Sequence, residues 1–463
     1  MGPVRKPASC HPTRPMTGLY PPDQINEQCE RICHSSALTT ANQRKLLRHL
    51  VMLHLTGAPD NAYSVKSLGH DVFGSDSSMG QVMTKQVRDA LDLYSKSIGV
   101  NDPILFAVAS RPVRLLITGN QYPLPQRIEH YLASARAAVD MRTFSSSEQA
   151  FAYVNRALAD HPDHPRILAA KALLHTDRAA DGGHPRTELQ KAEVLLAQIR
   201  ARGAEPWEAC LADANVRASL HWDWSGARTR YERAIVLSGG MAKYLGGWYG
   251  VFLTSQGEAE KAVLQAQEGL QLAHGSAAYR VDLALWQLCA GQIEDAAHTV
   301  DLAIADYGKV HHQPHALRAL ILEHKGDPRG AIEALKKVPA GWHETSSLAG
   351  VRALFEGLAG NRAKAKRYLS ALKKARSVAK RIPKLGMYVP STQLGFAALG
   401  AGDRDQAVEL ISEGAVQERD PYTLILNMLP AFRHLHDHPG FRRLIEETMK
   451  LPLPAIHAPL TKD

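Results

Sequence analysis

Four passages carry one pattern: Gly257-Glu-Ala-Glu-Lys-Ala-Val-Leu-Gln-Ala266, Gly291-Gln-Ile-Glu-Asp-Ala-Ala-His-Thr-Val300, Gly326-Asp-Pro-Arg-Gly-Ala-Ile-Glu-Ala-Leu335 and Gly360-Asn-Arg-Ala-Lys-Ala-Lys-Arg-Tyr-Leu369. The glycines fall 34, 35 and 34 residues apart. An alanine follows each by five residues and an apolar position by nine. Gly402 with Ala407 continues the beat after an insertion of about eight residues, and Ala227 with Tyr231 and Ala234 precedes it, Trp222 standing where the glycine would be. Ala192 and Ala150 extend it further back. Such a period means paired helices stacked in a row, each pair too small to bury its apolar face alone. Glycine supplies the turn because it adopts positive φ without a steric penalty. Alanine lets the paired helices approach closely.

The period and the small residues resemble the tetratricopeptide repeat family. Eight units are expected between about Pro125 and Asp420, in a mainly α chain. First helices of such units line an inner groove that binds extended or helical segments. Here they offer Tyr244, Val251, Val281, Leu285, Leu288 and Leu320, an apolar set suited to a protein or peptide partner or to a second copy of the chain. The paired Lys and Asn that clamp a terminal carboxylate in some repeat proteins are not found.

Ahead of the repeats, Thr39 or Thr40 can cap a helix to about Leu55, Ser64 a second ending at Gly74, and Ser75-Asp-Ser-Ser a third over about 79–97. The third helix is expected to turn Val82, Val87, Leu91 and Tyr94 to the core. Ile104-Leu-Phe-Ala-Val-Ala and Val113-Arg-Leu-Leu-Ile read as two strands of a hairpin. This is the winged helix-turn-helix plan. With Val72-Phe73-Gly74, Leu93-Tyr94, Asp102-Pro103 and the closing Leu429-Pro-Ala-Phe-Arg-His-Leu-His-Asp-His-Pro-Gly-Phe, it resembles a bacterial family of regulators and cyclase-like proteins that join this domain to tetratricopeptide repeats. No cyclase domain is present in the sequence.

The resemblance implies DNA binding through Gln81, Lys85 and Arg88 on the third helix, with Arg111 and Arg114 on the wing and Arg44, Lys45 and Arg48 on the first helix holding phosphates. One departure matters: Gln81 and Gln86 stand where the family carries arginine. Net charge from Met79 to Ser97 is only +1, a poor inventory for phosphate contacts. The alternative is a scaffold without DNA binding, both parts contacting proteins.

The organisation expected is a Pro-rich flexible segment with a short helix (1–37), the winged domain (38–118), the solenoid (119–450) and a tail (451–463). The net charge is +9 over 463 residues, but Arg362 to Lys384 holds ten Lys or Arg and no acid, so the remainder is close to neutral. Lys366, Arg367, Lys373 and Lys374 of that run could meet an acidic partner. No run of 18 apolar residues suggests a membrane span. Five cysteines suggest a reducing, cytoplasmic setting. Cys29, Cys33 and His34 with Cys10-His11, His311-His312 with His315, and His434, His436 and His438 lack the four-ligand spacing of a zinc site. No phosphate loop, nucleophile elbow or metal-protease helix is found. Neither an enzyme nor a cofactor is expected.

Overall fold

The computed structural model describes residues 22–454 except 59, 75–76, 97–101, 103, 111–112, 120–123, 141–143, 181, 239–241, 243–246, 273–276, 310–311, 339–345 and 382–387. The chain divides into two compact units, Met1–Gln126 and Arg127–Asp463.

In the first unit, α1 (Pro22–His34), α2 (Ala41–Thr56), α3 (Val65–Phe73) and α4 (Ser77–Lys96) precede an antiparallel hairpin of β1 (Ile104–Ser110) and β2 (Val113–Gly119). Thr40 caps α2 through a reciprocal pair with Gln43: the hydroxyl accepts from the Gln43 N–H and the Gln43 Oε1 accepts from the Thr40 N–H. Ser64 caps α3. Gly57 and Gly74 end α2 and α3 at positive φ. The short first helix belongs to the core: Ile25, Cys29, Ile32 and Cys33 are buried in one cluster with Leu46, Leu50, Val87 and Phe106. On α4 three of the four residues expected in the core, Val87, Leu91 and Tyr94, are buried, and the fourth, Val82, is not. Met83, Val87, Leu91 and Tyr94 face the core, while Val82 is half exposed, because the spacing of four from 83 to 87 to 91 continues better along one face. Asp102 ties α1 to α4, accepting from Tyr94 Oη at 2.5 Å, Gln28 Nε2 at 2.8 Å and Arg31 Nη1 at 3.3 Å.

The second unit contains eight helical hairpins among the described residues. They are α5 (Gln126–Val139) with α6 (Phe144–Asp160), α7 (Pro165–Ala180) with α8 (Pro185–Ala201), α9 (Trp207–Val216) with α10 (Trp224–Leu237), and α11 (Trp248–Ser255) with α12 (Ala259–Leu272). The series continues with α13 (Ala277–Cys289) and α14 (Ile293–Tyr307), α15 (Gln313–His324) and α16 (Pro328–Lys336), α17 (Ser346–Leu358) and α18 (Arg362–Arg381), and α19 (Ser391–Gly400) with α20 (Arg404–Glu413). The glycine beat sits at the hairpin turns, Gly257, Gly291, Gly326, Gly360 and Gly402 all having φ between 76° and 90°. A Cβ on Gly291 would meet nothing within 4 Å, so conformation and not space selects glycine there. The next residue closes the turn: Gln292 N–H donates to the Gln287 carbonyl at 2.8 Å, and Asn361 to Glu356 at 2.7 Å. The alanines Ala150, Ala192, Ala227, Ala262, Ala296, Ala331, Ala365 and Ala407 are all fully buried.

Turns at the margins of the array differ. Helix α9 widens into a π turn, Arg217–His221, which ends on Trp222 at φ 54°. Helix α20 does the same through Gly414–Glu418, ending on Arg419 at φ 58°. These two left-handed residues meet, the Arg419 guanidinium lying 3.7 Å over the Trp222 ring. After Arg419 the chain continues through short 3-10 turns, Pro421–Ile425 and Pro430–Leu435, to α21 (Pro439–Arg442) and a π turn, Arg443–Thr448.

Candidate functional site: an apolar bore in the repeat unit

The first helix of every hairpin contributes to one inner surface. A cavity of about 260 Å³ is walled by Trp248 and Val251 of α11, Val281, Leu285 and Trp286 of α13, Leu317 and Leu320 of α15, Leu348, Val351 and Leu354 of α17, and Phe396 of α19. The chain's own Tyr422, Ile425, Leu426, Leu429 and Phe432 form another wall. At one end the lining residues Val139, Asp140, Asp177 and Trp248 are shared with a smaller cavity of about 70 Å³, bounded by Leu132, Arg136, Trp207, Glu208 and Leu211 among others. Apolar walls with a few placed polar groups are what ligand sites usually have.

Residues 414–452 close the array from within. Arg186 of α8 donates to the carbonyls of Gln417 at 2.5 Å and Val416 at 2.7 Å. Trp224 Nε1 donates to the Met449 carbonyl at 2.8 Å, and Asn427 Nδ2 to the carbonyls of Ser255 at 3.1 Å and Pro452 at 2.8 Å. Glu418, 4 % exposed, accepts from Arg376 of α18 and from the Ser391 N–H and hydroxyl. Asp420 caps the first 3-10 turn by accepting from the Tyr422 N–H at 3.0 Å. Burial pushes its carboxyl up to about 6, against the Tyr422 N–H, which favours the charged form.

Of the groove residues expected from sequence, Val251, Val281, Leu285 and Leu320 line the bore. Leu288 does not: it is 1 % exposed and packs between α13, α14 and α15 with Val300 and Ile321. Tyr244 lies outside the described residues. Trp248, Trp286 and the 421–432 segment were not expected at the groove, although Leu429-Pro-Ala-Phe432 was quoted for the family resemblance. The regular positions of the first helices could have found the tryptophans, but no local signal marks a segment that folds back from far along the chain.

Lys366, Arg367, Lys373 and Lys374 are exposed on α18. Other cations of that helix are committed: Lys364 to Glu356, and Arg376 to Glu413 and Glu418.

The basic residues expected to hold DNA fare differently in the first unit. Arg88 is bound inward, its Nε donating to the Val108 carbonyl of β1 at 2.9 Å, and burial lowers its pKa. Arg44 Nη2 donates to the Leu38 carbonyl at 2.8 Å. Arg48 forms a two-pronged pair with Glu30 at 2.7 and 2.6 Å, which holds that carboxyl below its usual range. Gln81, Lys85 and Lys45 are exposed. Arg111 and the side chain of Arg114 lie outside the described residues. The exposed side of α4 carries Met79, Val82 and Leu93 and the acids Asp89 and Asp92 beside Lys85. It is mixed and partly apolar.

Three of the sequence's possible metal ligands converge: Cys29, Glu30 and Cys33 offer donor atoms within 4.8 Å of one another. The Glu30 carboxylate is already shared with Arg48, and both thiols are buried in the core. Cys10, His11 and His311 lie outside the described residues. The other histidines face separate partners: His315 the Gly308 carbonyl, His436 the Phe441 ring, and His438 Asp405 and the Gly440 N–H.

No family model matches the chain, and no curated protein sequence does. Solved structures with similar helical arrangements include a tetratricopeptide repeat protein from Parabacteroides merdae (17% identity, 57% of this chain and 99% of that one, TM-score 0.36). Another is the Cut9–Hcn1 heterotetramer of APC/C (13% identity, 88% and 67% covered, TM-score 0.41). A third is yeast Tom70 (13% identity, 92% and 89% covered, TM-score 0.37). These scores are too low to carry an argument. The repeat architecture rests on the chain's own turns, alanines and paired helices. Among the described residues no helix is long and apolar enough to cross a membrane.

Proposed function

We propose that this chain is a non-enzymatic, cytoplasmic adaptor of the tetratricopeptide kind, whose bore receives a short apolar segment of a protein partner. The observation that carries the reading is the bore itself: first helices lay Val251, Leu285, Leu320 and Phe396 around one cavity, and the chain's own Tyr422, Ile425 and Phe432 already sit against it. A surface that packs the chain's own apolar segment has the chemistry to pack another's. The four described cysteines are free thiols, which suits a reducing compartment.

A second reading, a DNA-binding regulator, draws on the order of three helices and a hairpin in the first unit and on the exposed Gln81, Lys85 and Lys45. Against it stand the internal commitments of Arg44, Arg48 and Arg88, since each Lys or Arg withheld from phosphate removes part of the counterion-release gain.

Both readings are tested on the full-length chain with two labelled probes, the capped peptide Leu-Leu-Gln-Leu-Leu and a random-sequence duplex, by anisotropy. The adaptor reading expects saturable peptide binding that Leu285→Arg abolishes, and duplex binding that vanishes at physiological salt. Salt-resistant duplex binding lost in Lys85→Ala, with no peptide binding, would reverse the assignment.

A further inference from the structure

One end of the bore carries carboxylates and no cation to match them. Asp140, just past α5, Asp177 of α7 and Asp282 of α13 line the bore, and among the described residues no Lys or Arg does. The start of α11 gathers two of them. Asp177 Oδ1 accepts from Trp248 Nε1 at 2.8 Å, and a Cβ on Gly247 would fall 2.6 Å from Asp282 Oδ2. Asp282 is 6 % exposed, and Asp140 and Asp177 are half-buried. Trp286 lies one turn beyond Asp282 on α13 and rests on α11 at Gly250, where a Cβ would meet its Nε1 at 2.6 Å. Trp248 and Trp286 therefore wall the place where Asp177 and Asp282 sit.

A fourth carboxylate lies beyond. Glu208 of α9 lines the small cavity that shares Asp140, Asp177 and Trp248 with the bore. It is 2 % exposed; its Oε1 accepts from Arg166 Nε at 3.1 Å, while its buried Oε2 has no hydrogen-bond partner among the described residues. Two guanidinium groups oppose the negative charge without cancelling it. Arg166 is shared with both oxygens of Glu129. Arg136, which also lines the small cavity, is exposed to water one turn before Asp140.

Carboxylates lose hydration when an apolar segment fills the space before them. The side chain that the segment places there sets the balance. An apolar side chain leaves the loss uncompensated, and a carboxylate adds like charge. A carboxamide offers N–H groups without charge. An ammonium answers by Coulomb attraction and charge-assisted hydrogen bonds, and the tryptophan rings add cation–π attraction. The apolar stem of a lysine suits the apolar wall. The indole bond to Asp177 leaves room for this, because a carboxylate has about four lone-pair sites.

We infer that the acidic end of the bore takes a cationic side chain, a lysine flanked by apolar residues in the partner segment. This rests on the bore being the partner site, and it adds the residue class that the partner places beside Asp177 and Asp282.

The test measures anisotropy of four labelled, capped peptides with full-length protein: Leu-Leu-Gln-Leu-Leu and its versions with lysine, acetyl-lysine or glutamate at the centre. The lysine peptide is expected to bind at least about tenfold more tightly than the glutamine and acetyl-lysine peptides, and the glutamate peptide to bind most weakly. The net charge of +9 on the whole chain would by itself favour the glutamate peptide, so a lysine preference reports a local site. In the double variant Asp177→Asn, Asp282→Asn the ratio of lysine to glutamine affinity is expected to collapse toward one. If that variant fails to fold, lysine against acetyl-lysine on the wild type decides, since acetylation removes the charge and keeps the stem. Equal affinity for those two peptides, or a lysine preference that survives in the double variant, overturns the acidic end while leaving the bore intact. Binding of none of the four overturns the bore reading with it.

Discussion

The two units use arginine in different ways, and the difference bears directly on function. In the first unit three of the arginines that sequence placed on DNA already hold partners of the chain itself: Arg88 a strand carbonyl, Arg44 the Leu38 carbonyl, and the exposed Arg48 the Glu30 carboxylate. In the repeat unit some arginines tie distant parts together, as Arg186 does with the turn after α20. Counting cations in a sequence therefore overstates the reach of the first unit. What a charged side chain can do for a partner depends on whether the fold has already used it.

The largest break in this comparison is expected from close helix contacts in the repeat unit. A Cβ on Gly357 of α17 would fall 1.8 Å from the Gly400 carbonyl oxygen of α19. Backbone cannot yield as a flexible side chain can, so Gly357→Val should destabilise the last hairpins by ~3 kcal/mol or more, read as a lowered and broadened thermal transition. An unchanged Tm would mean that these helices are not packed as described.

Asp420 gives the next effect. Its carboxyl rises from an ordinary 3.8 to about 6 on folding. The folded state therefore holds the proton more tightly, and the stabilising contribution is complete below about pH 4 and lost as pH rises through about 6. The swing is on the order of 3 kcal/mol. Asp420→Asn should flatten the fall in stability between pH 4 and 6 and raise denaturation midpoints at pH 7. A wild-type slope kept by the variant would place that titration elsewhere.

Gly291→Ala isolates backbone conformation from crowding, since no atom lies near the added methyl. The left-handed turn should cost ~1 kcal/mol, well below the Gly357 effect. The smallest change belongs to the first unit: Arg48→Ala removes a half-exposed pair, so unfolding should shift by less than ~1 kcal/mol and less still at high salt.

The repeat unit was legible because its signals are local and periodic. Turn glycines, buried alanines and caps such as Thr40 and Ser64 act within a few residues. On α4 only Val82 was misplaced, because Val82 and Met83 are both apolar and only the tertiary contact chooses between them. The closure of the array was not legible, since it joins residues 172 to 231 positions apart. Leu288 was misassigned because it lies almost one turn beyond Leu285, where α13 packs on α14 and α15 through Val300 and Ile321. The pairing of Arg166 with Glu208 crosses from one hairpin to another and leaves no sequence motif.

Hydrogen–deuterium exchange on the full-length chain, with and without the glutamine peptide, tests the central claim most directly. The account predicts slowed exchange in Trp248–Ser255, Ala277–Cys289 and Gln313–His324, the first helices that wall the bore, with no change in Ser77–Lys96. Unchanged exchange in those three helices, or protection confined to the first unit, would contradict it.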